Sequence, residues 1–171
     1  MAALPIRDRA GNNLIDLRVV PESELTRLGE QVPLPASLVV VVHAGAVLMV
    51  FDRWRKEWEL PGGMREPAET ARQAAVRELR EETGISGVGL TFAAVAEFDL
   101  VKPQRRELLA IYRVRLQSVP SLTVNDEVLA FRWWSPTDPV ADAMSPLDAE
   151  MARRVVHASA GGLDVGARKE T

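Results

Sequence analysis

Residues 36–51 read ASLVVVVHAGAVLMVF, a run of 16 residues that is apolar except for Ser37 and His43. The run is short of the roughly 20 residues needed to cross a bilayer as a helix. It is rich in β-branched valine and is broken by Ala44-Gly45, which suits a two-residue turn between strands. The stretch therefore predicts a pair of core strands, Leu38–His43 and Ala46–Asp52, and any fold of this chain has to bury them. His43 beside the turn reads as a structural histidine, since no second histidine or carboxylate stands nearby at metal-ligand spacing.

The other elements are short and mixed. Residues 4–7 and 14–20 suit a small hairpin around Gly11-Asn12. Residues 21–29 read as a short helix, and Pro33 and Pro35 mark the way into the core. A basic, aromatic loop, Arg53-Trp54-Arg55-Lys56-Glu57-Trp58, leads to Leu60-Pro61-Gly62-Gly63. A helix is expected from about Ala68 to Glu82, closed by Thr83-Gly84 with glycine at the C-cap. Residues 88–99 and 106–117 are strand-like, another strand covers about Leu129–Trp134, and Ser145-Pro146-Leu147-Asp148 opens a last helix running to about Ser159. Residues 161–171 read as a loose tail. There is no internal repeat.

Bulk properties narrow the function. At 171 residues, one domain is expected, able to bury about 70% of its unfolded surface. The net charge of −3 argues against non-specific binding to nucleic acid or to an anionic membrane, which needs a concentrated basic face. With no cysteine, there is neither a disulfide nor a thiolate ligand or nucleophile. No secretory signal is evident, so a cytoplasmic location is the default expectation.

The stretch 63–85, GMREPAETARQAAVRELREETGI, carries the chemistry. On a helical wheel Ala71, Ala74, Ala75 and Leu79 make one apolar face with Val76 at its margin. Glu78, Glu81 and Glu82 project from one patch, since residues three and four apart are neighbours on a helix. Like charges so placed cost a few tenths of a kcal/mol per pair. Such a group of carboxylates suits Mg²⁺, which takes oxygen ligands and commonly binds through one or two carboxylates plus substrate phosphates. The alternative is a solvated face in which Arg72, Arg77 and Arg80 neutralise the glutamates.

Gly63, Glu69, Arg77, Glu78, Leu79, Glu81, Glu82, Gly84 and Ile85 fall at the spacing of the Nudix hydrolase signature without departure, and the chain resembles that family. At average residue frequencies the pattern arises by chance on the order of once per billion starting points. The lead-in Trp58-Glu59-Leu60-Pro61-Gly62 also fits. The resemblance implies an α/β/α sandwich around a mixed sheet over residues 36–160, with residues 1–35 as an N-terminal extension whose hairpin is a candidate homodimer interface. It implies that Glu78 and Glu82, with the backbone carbonyl of Gly63, hold Mg²⁺ or Mn²⁺. Arg77 and Glu69 would then orient those ligands. Glu81 is either a further ligand or the base that deprotonates water. Glu127 is the matching later-loop carboxylate, with Glu97 and Glu107 as competitors for that role.

The expected partner is a small-molecule nucleotide, with no nucleic acid and no membrane. Arg53, Arg55 and Lys56 are candidates to grip outer phosphates. Phe98, Tyr112, Phe131, Trp133 and Trp134 are candidates to stack a base. Adjacent strand residues face opposite sides, so at most one of Trp133 and Trp134 lines a pocket, and Trp134 is taken as the substrate contact. Secondary marks of the ADP-ribose, diadenosine polyphosphate and RNA-end subgroups are missing or displaced, Pro103 coming late for the first. Elimination leaves nucleoside triphosphates, oxidised purines included, with ADP-ribose and nucleotide sugars as the alternative. A module that senses a nucleotide without cutting it is the alternative from another class.

Overall fold

The computed structural model describes residues 1–161. In chain order the elements are β1 (Ile6–Arg7), β2 (Asn13–Arg18), a 3-10 turn at Glu22–Glu24, α1 (Leu25–Gln31), β3 (Ala36–His43), β4 (Ala46–Asp52), β5 (Trp58–Glu59), β6 (Gly62–Met64), α2 (Ala71–Thr83), β7 (Thr91–Val101), β8 (Gln104–Arg115), β9 (Val128–Trp134) and α3 (Pro146–Gly161). The valine run forms its two strands, with Val42 opposite Val47 and His43 opposite Ala46 across the turn.

The sheet runs β1-β2-β7-β8-β3-β4-β5, with β6 beside β3 and β9 beside β4. It is mixed: β3 and β8 pair in parallel from Ala36 opposite Leu109 to Val42 opposite Arg115, while β7 and β8 form an antiparallel hairpin. The N-terminal extension is built into this sheet, because β2 pairs with β7.

Alternation along the strands loads both faces. Val39 and Val41 pack with Ala75 and Leu79 of α2, whereas Val40 packs with Met151 and Ala152 of α3. A strand apolar on both faces needs a layer on each, and α2 with α1 covers one face while α3 covers the other. The architecture is the expected α/β/α sandwich. No helix among the described residues is long and apolar enough to cross a membrane.

Several boundaries differ from expectation: the helix expected over 21–29 is the 3-10 turn followed by α1, and the strand expected over 106–117 is β8, Gln104–Arg115. The α2 helix begins at Ala71 rather than near Ala68, because Thr70 and Gln73 form a reciprocal capping box, Thr70 Oγ1 accepting the Gln73 N–H and Gln73 Oε1 accepting the Thr70 N–H. Residues 88–90 are not strand: the Leu90 carbonyl instead accepts from Arg72 at 2.7 Å, and β7 extends to Val101 so that Lys102-Pro103 turns directly into β8. Gly161 ends α3; the rest of the expected tail, 162–171, lies outside the described residues. His43 is satisfied structurally, its Nδ1 lying 3.0 Å from the Leu116 carbonyl and its ring edge-on to Trp133.

Candidate active site

The α2 helix is seated by its small apolar face. Ala71, Ala74, Ala75 and Leu79 are buried, and the buried Ser37 hydroxyl of β3 donates to the Ala71 carbonyl at 2.7 Å. Gly84 closes the helix with φ 82°, its N–H donating to the Arg80 carbonyl at 2.9 Å. A left-handed residue at this C-cap position is the role glycine fills without strain. Glu78, Glu81 and Glu82 therefore sit on the last turns of a helix whose height against the sheet is set.

The Leu60–Gly63 ribbon crosses in front of those turns. The Gly62 N–H donates to Glu82 Oε2 at 2.9 Å. A Cβ at Gly63 would lie 2.7 Å from the Glu78 carboxyl carbon and Oε1. Only glycine leaves room for that carboxylate to lie against the backbone here.

Arg77 is the centre of the charge arrangement. Its guanidinium grips Glu69 through two bonds of 2.8 and 3.0 Å, and also donates to Glu78 at 2.7 Å, Glu81 at 3.1 Å and the Met64 carbonyl at 2.9 Å. The solvated-face alternative thus holds for Arg77, which does stand among the glutamates. It fails for Arg72, which turns away to pair with Glu22 at 2.8 Å.

The glutamates respond in opposite directions. The Arg77 guanidinium holds Glu69 down to about 2. Burial pushes Glu82 up to about 8, against the Gly62 N–H, with the charges of Glu78 and Glu127 adding to the rise. Burial also raises Glu78, despite Arg77, and Glu81 and Glu127 contribute to it. Glu127 is thus brought within electrostatic reach of both.

Asn125 explains how. Its side chain amide donates to the Glu82 carbonyl at 2.9 Å and the Glu81 carbonyl at 3.2 Å, while its Oδ1 accepts the Glu127 N–H at 2.9 Å. One asparagine ties the 125–127 loop to the end of α2. Sequence reasoning passed over it, although an Asn-Asp-Glu turn before a strand is a signal for such side-chain-to-backbone bonding. Glu97 and Glu107 are engaged elsewhere, Glu97 3.7 Å from Arg18 and Glu107 2.7 Å from Arg105.

The substrate-contact expectations divide. Arg53 lies beside the site: its N–H donates to the Glu127 carbonyl at 2.9 Å and its guanidinium is exposed, resting over the Trp54 ring. Arg55 is not free for a phosphate, because it pairs with Glu59 at 2.7 Å and Asp52 at 3.3 Å. Trp134 is corrected outright. It is 1% exposed in the core under α3, with Arg153 over its ring and its Nε1–H donating to the Pro139 carbonyl. Strand alternation places Trp133 and Phe131 on the α2 side instead, both only partly buried. Tyr112 and Phe98 are core residues as well.

Among the described residues, no three His, Asp or Glu side chains converge closely enough to hold a metal as they stand; Arg77 draws Glu78 Oε1 towards itself. The donor set nevertheless fits a hard cation. Glu78 and Glu82 are carboxylates whose ionised forms burial disfavours, and the Gly63 backbone lies against one of them. A divalent cation would relieve that cost.

The NUDIX domain model matches residues 33–155, and the chain belongs to the Nudix hydrolase family. It is similar to the CTP pyrophosphohydrolase of Escherichia coli, 37% identical over 94 residues that make up 53% of this chain and 64% of that protein. The phosphatase NudJ of the same organism is 29% identical over 124 residues, 68% of this chain and 80% of that one. A MutT NUDIX hydrolase from Burkholderia pseudomallei has the same fold, with a TM-score of 0.61 at 21% identity over 71% of this chain and 95% of that one.

Proposed function

We propose that this chain hydrolyses a phosphoanhydride bond of a nucleoside triphosphate, oxidised purines included, giving the monophosphate and pyrophosphate, with Mg²⁺ or Mn²⁺ bound by Glu78, Glu82 and the Gly63 carbonyl. The observation that carries this reading is the packing of Glu78 and Glu82 against the Gly62-Gly63 ribbon, with the loop that bears Glu127 fastened to the end of α2 by Asn125. It is supported by the full signature and by the similarity to a protein named for CTP pyrophosphohydrolysis, of which this chain covers less than two thirds.

A bound divalent ion supplies neutralisation of the phosphate charge and acidification of the attacking water. The chain's own groups do the rest. Arg77 and Glu69 orient Glu78 and Glu81, as groups behind metal ligands commonly do. Glu127, carried by the loop that Asn125 fastens to α2, takes the proton of the attacking water, with Glu81 as the alternative acceptor. Arg53 meets the outer phosphates beside that loop. Arg55, locked by Glu59, shapes the turn.

A panel of canonical and oxidised nucleoside triphosphates, ADP-ribose and nucleotide sugars, assayed with Mg²⁺ for released pyrophosphate or monophosphate, tests the proposal. Turnover of a triphosphate to monophosphate and pyrophosphate is the expected result. Turnover confined to ADP-ribose or nucleotide sugars overturns the substrate, and binding without turnover makes the chain a nucleotide sensor.

A further inference from the structure

The start of α3 is stitched to the ribbon that carries Gly63. The Trp58 N–H donates to the Ala143 carbonyl at 2.7 Å, and the Ser145 N–H donates to the Trp58 carbonyl at 3.0 Å. One step further along, the Leu60 N–H is taken by a side chain: Asp148 Oδ2 accepts it at 2.8 Å. Pro61 has no N–H, so this is the last N–H of the ribbon to be anchored before the Gly62 N–H reaches Glu82. Leu60 is 2% exposed, and its N–H would otherwise lack an acceptor in a place where water is excluded.

Asp148 divides its two oxygens. Oδ1 accepts the Ser145 hydroxyl at 3.0 Å, and the Asp148 N–H donates back to Ser145 Oγ at 3.3 Å, so this half belongs to the helix start. Capping α3 uses only that oxygen. The other points off the helix, at a backbone N–H 88 residues away in sequence. On its other side the ribbon is held by β3, where the Pro61 carbonyl accepts the Val39 N–H at 2.8 Å and Gly62 and Gly63 lie opposite Leu38 and Ser37; Asp148 supplies the matching tie from α3.

We propose that Asp148 is a positioning residue for the metal-ligand ribbon: by accepting the Leu60 N–H it sets Gly62 and Gly63 at the height where they meet Glu82 and Glu78. The link to metal binding rests on the function proposed above; the link to ribbon placement does not.

The test compares the parent chain with Asp148→Ala, Asp148→Asn and Ser145→Ala. Three quantities are read: melting temperature, amide hydrogen exchange at Gly62 in the metal-free protein, and Mn²⁺ affinity by paramagnetic resonance titration. Asp148→Ala is expected to speed Gly62 exchange about tenfold and weaken Mn²⁺ binding about 10–100-fold, the range for groups that orient ligands. Asp148→Asn keeps an oxygen for Leu60 and stays within a few-fold of the parent. Ser145→Ala removes the capping partner and lowers the melting temperature, yet leaves Gly62 exchange and Mn²⁺ affinity at the parent level. Parent-like values in Asp148→Ala, or equal effects of Asp148→Ala and Ser145→Ala, overturn the proposal. If Asp148→Ala does not fold, Asp148→Glu keeps an acid at the helix start while displacing the carboxylate, and parent-like Gly62 exchange in it overturns the proposal equally. Failure of the parent to bind Mn²⁺ overturns the metal reading alone, and Gly62 exchange still decides where Asp148 acts.

Discussion

Glu69 and Glu82 belong to one signature and are the same amino acid, yet the fold drives them apart. Glu69 lies in the loop before α2, gripped by Arg77, and its carboxyl sits near 2. Glu82 lies on the last turn of α2, buried against the ribbon with one backbone N–H and no arginine, and its carboxyl sits near 8. The first is committed to its charge by a permanent cation. The second sits where burial disfavours its charged form. One patch of glutamates thus contains a structural end and, on the function proposed above, a reactive end.

The largest effect expected from breaking that contrast is at the reactive end. Glu82→Gln keeps the shape and removes the charge. Loss of metal-supplied stabilisation worth several kcal/mol should lower kcat about 10³-fold or more, measured at saturating nucleotide. A rate near that of the parent would remove Glu82 from the metal site.

Next come the two candidate bases. Glu127→Gln should reduce kcat by roughly 10²–10⁴-fold with little change in KM, the signature of lost general-base help. Glu81→Gln should stay within a few-fold. The reverse pattern assigns the base to Glu81, and full activity in both variants rules out a carboxylate base at either position. The acidic limb of the pH–rate profile should move only in the variant lacking the true base.

At the structural end, Arg77→Ala should lower activity about 10–100-fold through loosened ligands, with weaker Mn²⁺ affinity. Unchanged rate and affinity would show that the Glu69 pair is only a surface contact.

The smallest effect separates the two ends by sign. Because the folded-state value of Glu82 is raised from 4.5 to about 8, its contribution to stability is fully present below pH 4.5 and is lost as pH rises to about 8. The slope is at most about 1.4 kcal/mol per pH unit in that window. Glu69 acts oppositely: its contribution is present above 4.5 and is lost as pH falls towards 2. Denaturant melts of the metal-free protein between pH 5 and 8 should therefore show a decline that Glu82→Gln flattens. A decline of equal slope in that variant would mean that Glu82 is not the group responsible.

The paired strands were legible because burial on both faces demands continuous apolar residues, and the run at 36–51 supplies them. The apolar stripe of α2, its Gly84 cap and the Ser145 helix start were legible too, since each depends on residues close in sequence. The grouping of Glu78, Glu81 and Glu82 on one patch of α2 was legible for the same local reason. What only the tertiary structure decided depends on groups far apart in the chain. Trp133 and Trp134 are indistinguishable until the sheet has a helix on each face, and then the packing of α3 makes Trp134 core. Arg55 reads as a free cation until the turn folds it onto Glu59. Glu127 approaches α2 because Asn125 reaches the end of that helix, and Asp148 reaches Leu60 across 88 residues. Periodicity and spacing specify which side chains share a face of one element; burial and long-range hydrogen bonds decide which of them carry an unrelieved charge, and that was not written in any local stretch.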